Sequence, residues 1–160
     1  MYDSVKRRLP AAAGPRGEGA FVPLLPFLEE GALFERFDPA KPVTDETNRA
    51  FRETRIDVLV CPSMGLPSPT PLGGWSSVAL CSGSGYGHFV NSWHPDFHNG
   101  AIVVATKGAT SLRTISSSDG LTKTFLGGDL DYGLGVLPDG TTGGATRWSG
   151  GYPFQSVAST

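Results

Sequence analysis

Proline and glycine recur along the whole chain and limit how far any helix or strand can run. The 160 residues include 22 glycines and 13 prolines. Proline has no N–H for the interior of a helix, and glycine loses more conformational freedom on folding than any other residue. Only 18% of the residues are charged, and 39% are hydrophobic. These features predict a compact, loop-rich and largely β domain rather than a helical bundle.

The overall charge argues against nucleic acid as a partner. The formal net charge is −2 at pH 7, so the chain lacks the basic excess that attracts phosphate backbones. No apolar run reaches the roughly 20 residues that span a bilayer, so we expect no membrane span in this chain. The first 20 residues also lack the apolar core of a complete signal peptide. The protein is therefore either cytoplasmic or begins downstream of its own targeting segment.

Two helices are predicted in the first third of the chain. Residues 1–20 are rich in proline and glycine and are expected to form an extended leading segment. Pro23 and Pro26 fit only the first turn of a helix. The apolar residues there recur at helical spacing and predict an amphipathic helix that covers one face of a sheet. They are Leu24, Phe27, Leu28, Phe34 and Phe37. A second short helix, with Thr44 or Asp45 as its N-cap, is expected to end at about Arg52.

Short strands are predicted after the helices. Ile56, Val58 and Val60 would share one face of a strand, with Leu59 on the other face, and Pro62 would close it. Further β-like runs, separated by turn residues, cover residues 75–81, 85–93, 100–108 and 122–128. Helices followed by a meander of short strands predict an α+β fold, in which the N-terminal helices pack on an antiparallel β-sheet.

The chain is accordingly divided into three parts. Residues 1–20 are the leading segment, and residues 21–137 form the globular α+β domain. Residues 138–160 are polar and rich in glycine, and two interpretations remain open for them. They form either a tail or an edge strand near residues 147–154.

Cys61 and Cys81 are the two cysteines, with 19 residues between them. Each follows an apolar, β-like run. A disulfide between them would contribute about 3 kcal/mol in the chain-entropy model. The alternative is a pair of buried thiols, and the choice depends on whether the protein is exported.

Two groups of residues are candidates for metal binding. All three histidines lie in one stretch, where His94, Asp96 and His98 could bind Zn²⁺ with His88 as a further ligand. Pro95 and Gly100 favour a loop there, and the spacing of a loop does not fix a common direction for the side chains. The second group is Asp129 and Asp131, which would face the same side of a strand and could share a Ca²⁺ ion. Polar loop residues without a metal are the simpler interpretation of both groups.

Several stretches resemble, in order, a large bacterial family of pilin-like proteins. Its members have a prepilin-type N-terminal helix, a main domain of unknown function and a C-terminal H-x9-DG motif. "VPLLPFLEEGALFERFD" at residues 22–38 resembles its Leu-Leu-Pro helix, and "TNRAFRETRIDVLVCPS" at 47–63 resembles the segment that ends in Cys-Pro-Ser. Residues 76–85 and 118–129 resemble two later segments, the second with the sequence "SDGLTKTFLGGD". Residues 2–12 are similar to the stretch that follows the family's membrane helix.

The resemblance implies structural roles rather than catalytic ones. In pilins and pseudopilins a long apolar helix packs into the filament core, and a small α+β head faces outward. The prepilin leader, the apolar helix and the H-x9-DG motif are all missing from this sequence. Filament or pseudopilus partners would therefore be reached through a helix that this chain lacks. The residues that the resemblance assigns to helix packing, to the end of a strand or to a turn are Leu24, Leu25, Pro26, Leu28, Cys61, Pro62, Asp119, Gly120 and Thr124, and we add Cys81 as a candidate structural residue.

We therefore expect a non-enzymatic, pilin-like head of a bacterial surface or exported protein, without a cofactor. Two alternatives belong to other classes. One is a zinc-binding module or hydrolase that uses His94, Asp96 and His98. The other is an extracellular β domain that binds carbohydrate or protein through exposed aromatic rings. Its candidate residues are Trp75, Trp93, Trp148 and Tyr152.

Overall fold

Short helices and a small β-sheet make up the fold, which confirms the predicted α+β class. The computed structural model describes residues 2–63, 74–83, 99–129, 148–150 and 157–159. Its α-helices are α1 (Tyr2–Lys6), α2 (Gly31–Phe34), α3 (Arg49–Arg52) and α4 (Leu112–Ser117). Its strands are β1 (Val78–Gly83), β2 (Gly127–Asp129) and β3 (Val157–Ser159). Short 3-10 helices cover Val22–Phe27, Glu46–Asn48, Asp57–Leu59, Ala105–Lys107 and Leu121–Lys123.

β1 is the central strand of the described sheet, whose order is β2-β1-β3. β2 pairs with β1 in the expected antiparallel direction, with Leu80 opposite Gly127. β3 pairs with the other edge of β1 in parallel, with Leu80 opposite Val157. A parallel neighbour needs a long connection back to the same end of the sheet, and the chain between β1 and β3 is long enough to provide it. The sheet is therefore mixed, a detail that the strand patterns could not specify.

The predicted amphipathic helix is divided into two short pieces. Its first piece is the 3-10 helix Val22–Phe27, with i to i+3 bonds such as the one from the Leu28 N–H to the Leu25 carbonyl oxygen at 3.0 Å. Pro26 lies inside this piece, where it lacks the N–H that an α-helix would require. Glu29 has a positive φ of 66° and separates this piece from α2.

This break changes which side chains face the core. Val22, Leu25 and Leu33 are buried, whereas Phe27 and Phe34 are each 38% exposed. The prediction that Phe27 and Phe34 lie on the buried face is therefore wrong. A single helical phase across residues 24–37 would bury both rings, but the turn at Glu29 changes the phase between the two pieces.

The second predicted helix is confirmed, including its N-cap. Asp45 precedes the 3-10 helix Glu46–Asn48, which continues into α3. The Asp45 carboxylate accepts hydrogen bonds from the Thr47 N–H at 3.0 Å and from the Thr47 hydroxyl at 2.9 Å. Both bonds favour the charged form, and the pKa of Asp45 is lowered mainly by the backbone bond and then by the hydroxyl.

The strand predicted to end at Cys61 is not formed. Residues Asp57–Leu59 are a 3-10 helix, in which the Leu59 N–H donates to the Ile56 carbonyl oxygen at 3.0 Å. This turn buries both Ile56 and Leu59 and leaves Val58 63% exposed. A strand would have placed Ile56 and Val58 on the same face. Burial of the i, i+3 pair has outweighed the β propensity of this short apolar run.

The run at residues 100–108 also lacks a regular strand, although its apolar residues are buried. Its backbone bonds to β1 through the Ile102 N–H and the Cys81 carbonyl oxygen at 3.2 Å. It bonds to the leading segment through the Ala12 N–H and the Val103 carbonyl oxygen at 2.8 Å. The run therefore lies between the sheet and the leading segment. The predicted strand at 85–93 lies outside the described residues.

Two hydrophobic clusters meet at β1. The first joins the leading segment to α4 and the run at 100–108, and it contains Leu9, Ala12, Ala13, Ala20, Ala101, Ile102, Val104 and Ile115. The second contains Phe21, Val22, Leu25, Leu33, Val43, Phe51, Ile56, Leu59 and Trp148. Leu80 of β1 packs against both clusters. The first 20 residues thus contribute side chains to the core.

Trp148 brings a distant part of the chain into the second cluster. Its side chain is fully buried and meets the Phe51 ring edge to face, with ring centres 4.9 Å apart. The indole N–H donates to the Thr54 carbonyl oxygen at 2.8 Å, and the Trp148 backbone N–H donates to the Gly74 carbonyl oxygen at 3.2 Å. Gly74 has a φ of 74°, and a side chain there would collide with the Arg52 carbonyl group. Three separate segments are therefore held together at Trp148.

We expect Trp148→Ala to lower the free energy of unfolding by about 3–5 kcal/mol, because it removes a large, fully buried ring. Trp148→Phe keeps a ring but leaves the Thr54 carbonyl oxygen without its donor, and we expect a smaller loss of about 1–3 kcal/mol. Urea unfolding followed by far-UV circular dichroism measures both. Val58→Ala, at an exposed position, is the control and should change stability by less than about 0.5 kcal/mol. Equal effects for all three variants would contradict the packing described.

The N-cap predicts a pH-dependent effect at Asp45. Its folded pKa is below the ordinary value, so its stabilising contribution is present above the unfolded pKa and is lost as the pH falls through the folded pKa. We expect Asp45→Ala to lower the urea midpoint at neutral pH. The gap to the wild type should narrow as the pH falls below about 3.9. Glu35→Ala, which removes an exposed carboxylate with no hydrogen bond to a described residue, is the control. A gap that stays constant with pH would contradict this role.

Candidate functional site

The residues assigned to helix packing lie at different depths. Leu25 is fully buried in the second cluster, and Leu24 and Leu28 are partly buried against it. Pro26 is exposed and interrupts the helix rather than packing it. The three leucines form part of a hydrophobic core.

The two cysteines occupy different environments and are not joined by a disulfide in the structure. The Cys61 N–H donates to the Ser77 hydroxyl at 2.6 Å, and its sulfur lies 3.2 Å from the Ser63 hydroxyl oxygen. Cys81 is buried within β1, where its N–H donates to the Leu126 carbonyl oxygen at 2.9 Å. Cys61 and Pro62 follow a 3-10 helix, so the prediction that they end a strand is wrong.

The predicted metal ligands fall mostly outside the described residues. This applies to His88, His94, Asp96, His98 and Asp131. Asp129 lies at the end of β2. Within the described parts of the chain, no group of three or more histidine, cysteine or acidic residues could hold a metal ion. Zinc and calcium binding therefore stay predictions.

Two of the four aromatic residues proposed for carbohydrate stacking are buried. Trp75 is 8% exposed and Trp148 is 0% exposed, so neither offers a ring face to a ligand. Both belong to the core, and their assignment as surface stacking residues is wrong. Trp93 and Tyr152 lie outside the described residues.

A cleft on the surface brings together residues that lie far apart in the sequence. We call it the α4 cleft, because α4 and the turn after it form one wall and β1 lies beneath. Its volume is about 530 Å³. Its lining includes Cys81, Thr110, Thr114, Asp119, Lys123, Thr124 and Phe125. Cys81, Asp119 and Thr124 were predicted to be structural, and the cleft places all three at one surface.

Local sequence signals position this wall of the cleft. Ser111 is the N-cap of α4, and its hydroxyl accepts from the Thr114 N–H at 3.1 Å. Gly120 has a φ of 85°, which lets the chain turn sharply between α4 and the 3-10 helix Leu121–Lys123. The Thr124 hydroxyl donates to the Gly120 carbonyl oxygen at 3.0 Å and closes the turn. Among the described residues, the Asp119 carboxylate accepts no hydrogen bond.

Residues 1–158 match the family described as "Protein of unknown function (DUF1559)". The chain belongs to this family. No curated protein and no solved structure matches it. The DUF1559 match includes the leading segment, both hydrophobic clusters and the α4 cleft. It agrees with the resemblance at the level of a domain of unknown function, and it does not address the prepilin-type helix or the H-x9-DG motif.

Asn48 is a buried residue of this DUF1559 chain whose importance the sequence pattern did not reveal. Its side chain is fully buried. The amide oxygen accepts from the Asp38 N–H at 2.9 Å, and the amide nitrogen donates to the carbonyl oxygens of Asp38 and Pro42 at 3.2 and 3.0 Å. Asn48 therefore fastens the turn between α2 and α3. The only sequence signal was an asparagine close to the N-cap Asp45, and such a residue is usually an exposed capping residue.

The structure also bears on membrane insertion. Among the helices of the described residues, none is long and apolar enough to cross a bilayer.

We expect Asn48→Asp to destabilise the protein more strongly as the pH rises. A carboxylate oxygen would face two carbonyl oxygens in a buried site, so its folded pKa would lie above the ordinary value of about 3.9. Stability would then be highest below the unfolded pKa and would fall as the pH rises through the folded pKa. At pH 7 we expect a loss of at least about 3 kcal/mol in urea unfolding.

Asn48→Ala is the matched control for this prediction. It removes the same three hydrogen bonds without adding a group that titrates. Its destabilisation should therefore stay nearly constant with pH. Parallel pH profiles for the two variants would show that the Asn48 site is open to water.

Proposed function

We propose that the protein is a non-enzymatic, pilin-like head that a bacterium exports and displays on or near its surface. Membership of a family of unknown function over nearly the whole chain supports this proposal, together with the resemblance of five stretches to pilin-like proteins in the same order. In this proposal, the role of the protein is to present a stable surface to the outside of the cell.

The observation that carries the proposal is that the most specific of these stretches build the core. Leu25 of the Leu-Leu-Pro stretch and Ile56 and Leu59 of the stretch that ends in Cys-Pro-Ser all lie in the second cluster, each at most 4% exposed. A motif that serves catalysis would place polar side chains around a common centre. These motifs place apolar side chains in contact, which is what a stable display domain requires.

Localisation in the bacterium that encodes the protein tests the proposal. We expect an antibody against the purified protein to find the native protein in envelope and sheared surface fractions, and immunogold labelling to place it outside the cytoplasm. A destabilised Trp148→Ala variant should be depleted from the surface, whereas Val58→Ala should reach it normally. An exclusively cytoplasmic protein would contradict export and display.

Metal analysis of the same purified protein tests the non-enzymatic part of the proposal. We expect no stoichiometric metal. One equivalent of zinc that is lost in both His94→Ala and His98→Ala would favour the zinc-binding module or hydrolase over a non-enzymatic head.

A further inference from the structure

We propose that the α4 cleft binds a neutral saccharide, with one sugar face stacked on Phe125 and the sugar hydroxyls bonded to Asp119, Lys123 and the threonines. This inference goes beyond display of a surface, since it assigns a ligand class to one place on that surface. It uses none of the tryptophans considered from the sequence. It is independent of whether the protein is exported.

Phe125 supplies an exposed aromatic ring that is held in place. The residue is 57% exposed although it lines the cleft. Its ring rests close to Gly128, where an added Cβ would lie 3.0 Å from the ring atom Cζ and 3.6 Å from Cε2. β2, which contains Gly128, is hydrogen-bonded to β1, so the support beneath the ring is part of the sheet. An apolar ring exposed in this way favours a ligand with a flat apolar face.

The charges around the cleft select among ligands with such a face. Asp119 and Lys123 are both exposed at the cleft, and neither forms an ion pair with a described residue. An anionic ligand would meet the Asp119 carboxylate, and a cationic ligand would meet the Lys123 ammonium group. A neutral ligand that both donates and accepts hydrogen bonds satisfies the two groups together. Pyranose sugars combine such hydroxyls with an apolar C–H face.

The hydroxyl groups of the cleft extend this match. Thr110 donates its hydroxyl hydrogen to the Ala101 carbonyl oxygen, which leaves the hydroxyl oxygen as an acceptor. The Thr114 hydroxyl is paired with the Ser111 hydroxyl at 2.9 Å and also lines the cleft. The cleft volume of about 530 Å³ lies within the range of about 300–1,000 Å³ that is usual for small-ligand sites. The site therefore suits a short, uncharged saccharide.

Saturation-transfer difference NMR of the full chain with a panel of neutral sugars tests the proposal. The panel is glucose, galactose, mannose, N-acetylglucosamine, cellobiose and maltose. We expect at least one of them to show transfer to its ring C–H protons. Phe125→Ala should weaken that binding by about tenfold or more. Asp119→Asn should also weaken it, because a neutral amide oxygen accepts hydrogen bonds from sugar hydroxyls less strongly than a carboxylate does. Phe34→Ala, which removes a 38% exposed ring elsewhere, is the matched control and should leave binding unchanged.

Gly128→Ala tests whether sugar binding depends on the position of the Phe125 ring and not only on its presence. The added methyl group would crowd the Phe125 ring, which would have to shift by a few tenths of an ångström, so we expect weaker sugar binding with an unchanged thermal midpoint. Absence of transfer to every sugar in the panel would overturn the proposal. So would binding that survives Phe125→Ala, or a preference for glucuronate over glucose. None of these outcomes bears on export or display, which the localisation experiment tests separately.

Discussion

Burial of the Trp148 indole is the interaction on which the rest of the fold depends. The ring sits in a cluster otherwise built from residues 21–59. Its indole N–H bonds to the Thr54 carbonyl oxygen in that part of the chain, and the Trp148 backbone N–H bonds to the Gly74 carbonyl oxygen. The next residue is also bonded to an early part of the chain, because the Gly19 N–H donates to the Ser149 carbonyl oxygen at 2.8 Å. A late part of the chain thus completes a core that early residues begin. The helices of that core are too short to be stable without tertiary packing.

Local chemistry made some of the fold predictable. Asp45 was recognisable as an N-cap because its side chain bonds locally, to the N–H and hydroxyl of Thr47. The strand that contains Leu80 and Cys81 was recognisable from its apolar run. Residues 55–61 were not predictable in the same way, since a short apolar run suits a strand and a buried turn equally well. The direction of β3 and the insertion of Trp148 depend on contacts between residues far apart in sequence. No local pattern encodes such contacts.

The candidate site, like the fold, could be predicted only in part from local sequence. Asp119, Gly120 and Thr124 could be assigned to a turn from their sequence, and Gly120 does adopt a positive φ. That the turn forms the wall of a cleft above Cys81 depends on how α4 packs against the first cluster. Phe125 was unremarkable within a β-like run, and its significance comes from Gly128 beneath the ring and from its exposure. Trp75 and Trp148 show the opposite error, because these aromatic residues were predicted to bind a ligand at the surface and are instead buried in the core.

The parallel pairing of β3 has a consequence for how the protein matures. One edge of β1 is completed by residues 157–159, which are synthesised long after β1 itself. Until then the strand offers unpaired N–H and C=O groups to any neighbouring chain. Pairing across so long a sequence separation is also slow. In the interval before β3 arrives, the open edge of β1 can associate with other chains, so folding of this domain gains from chaperones that cover exposed strand edges.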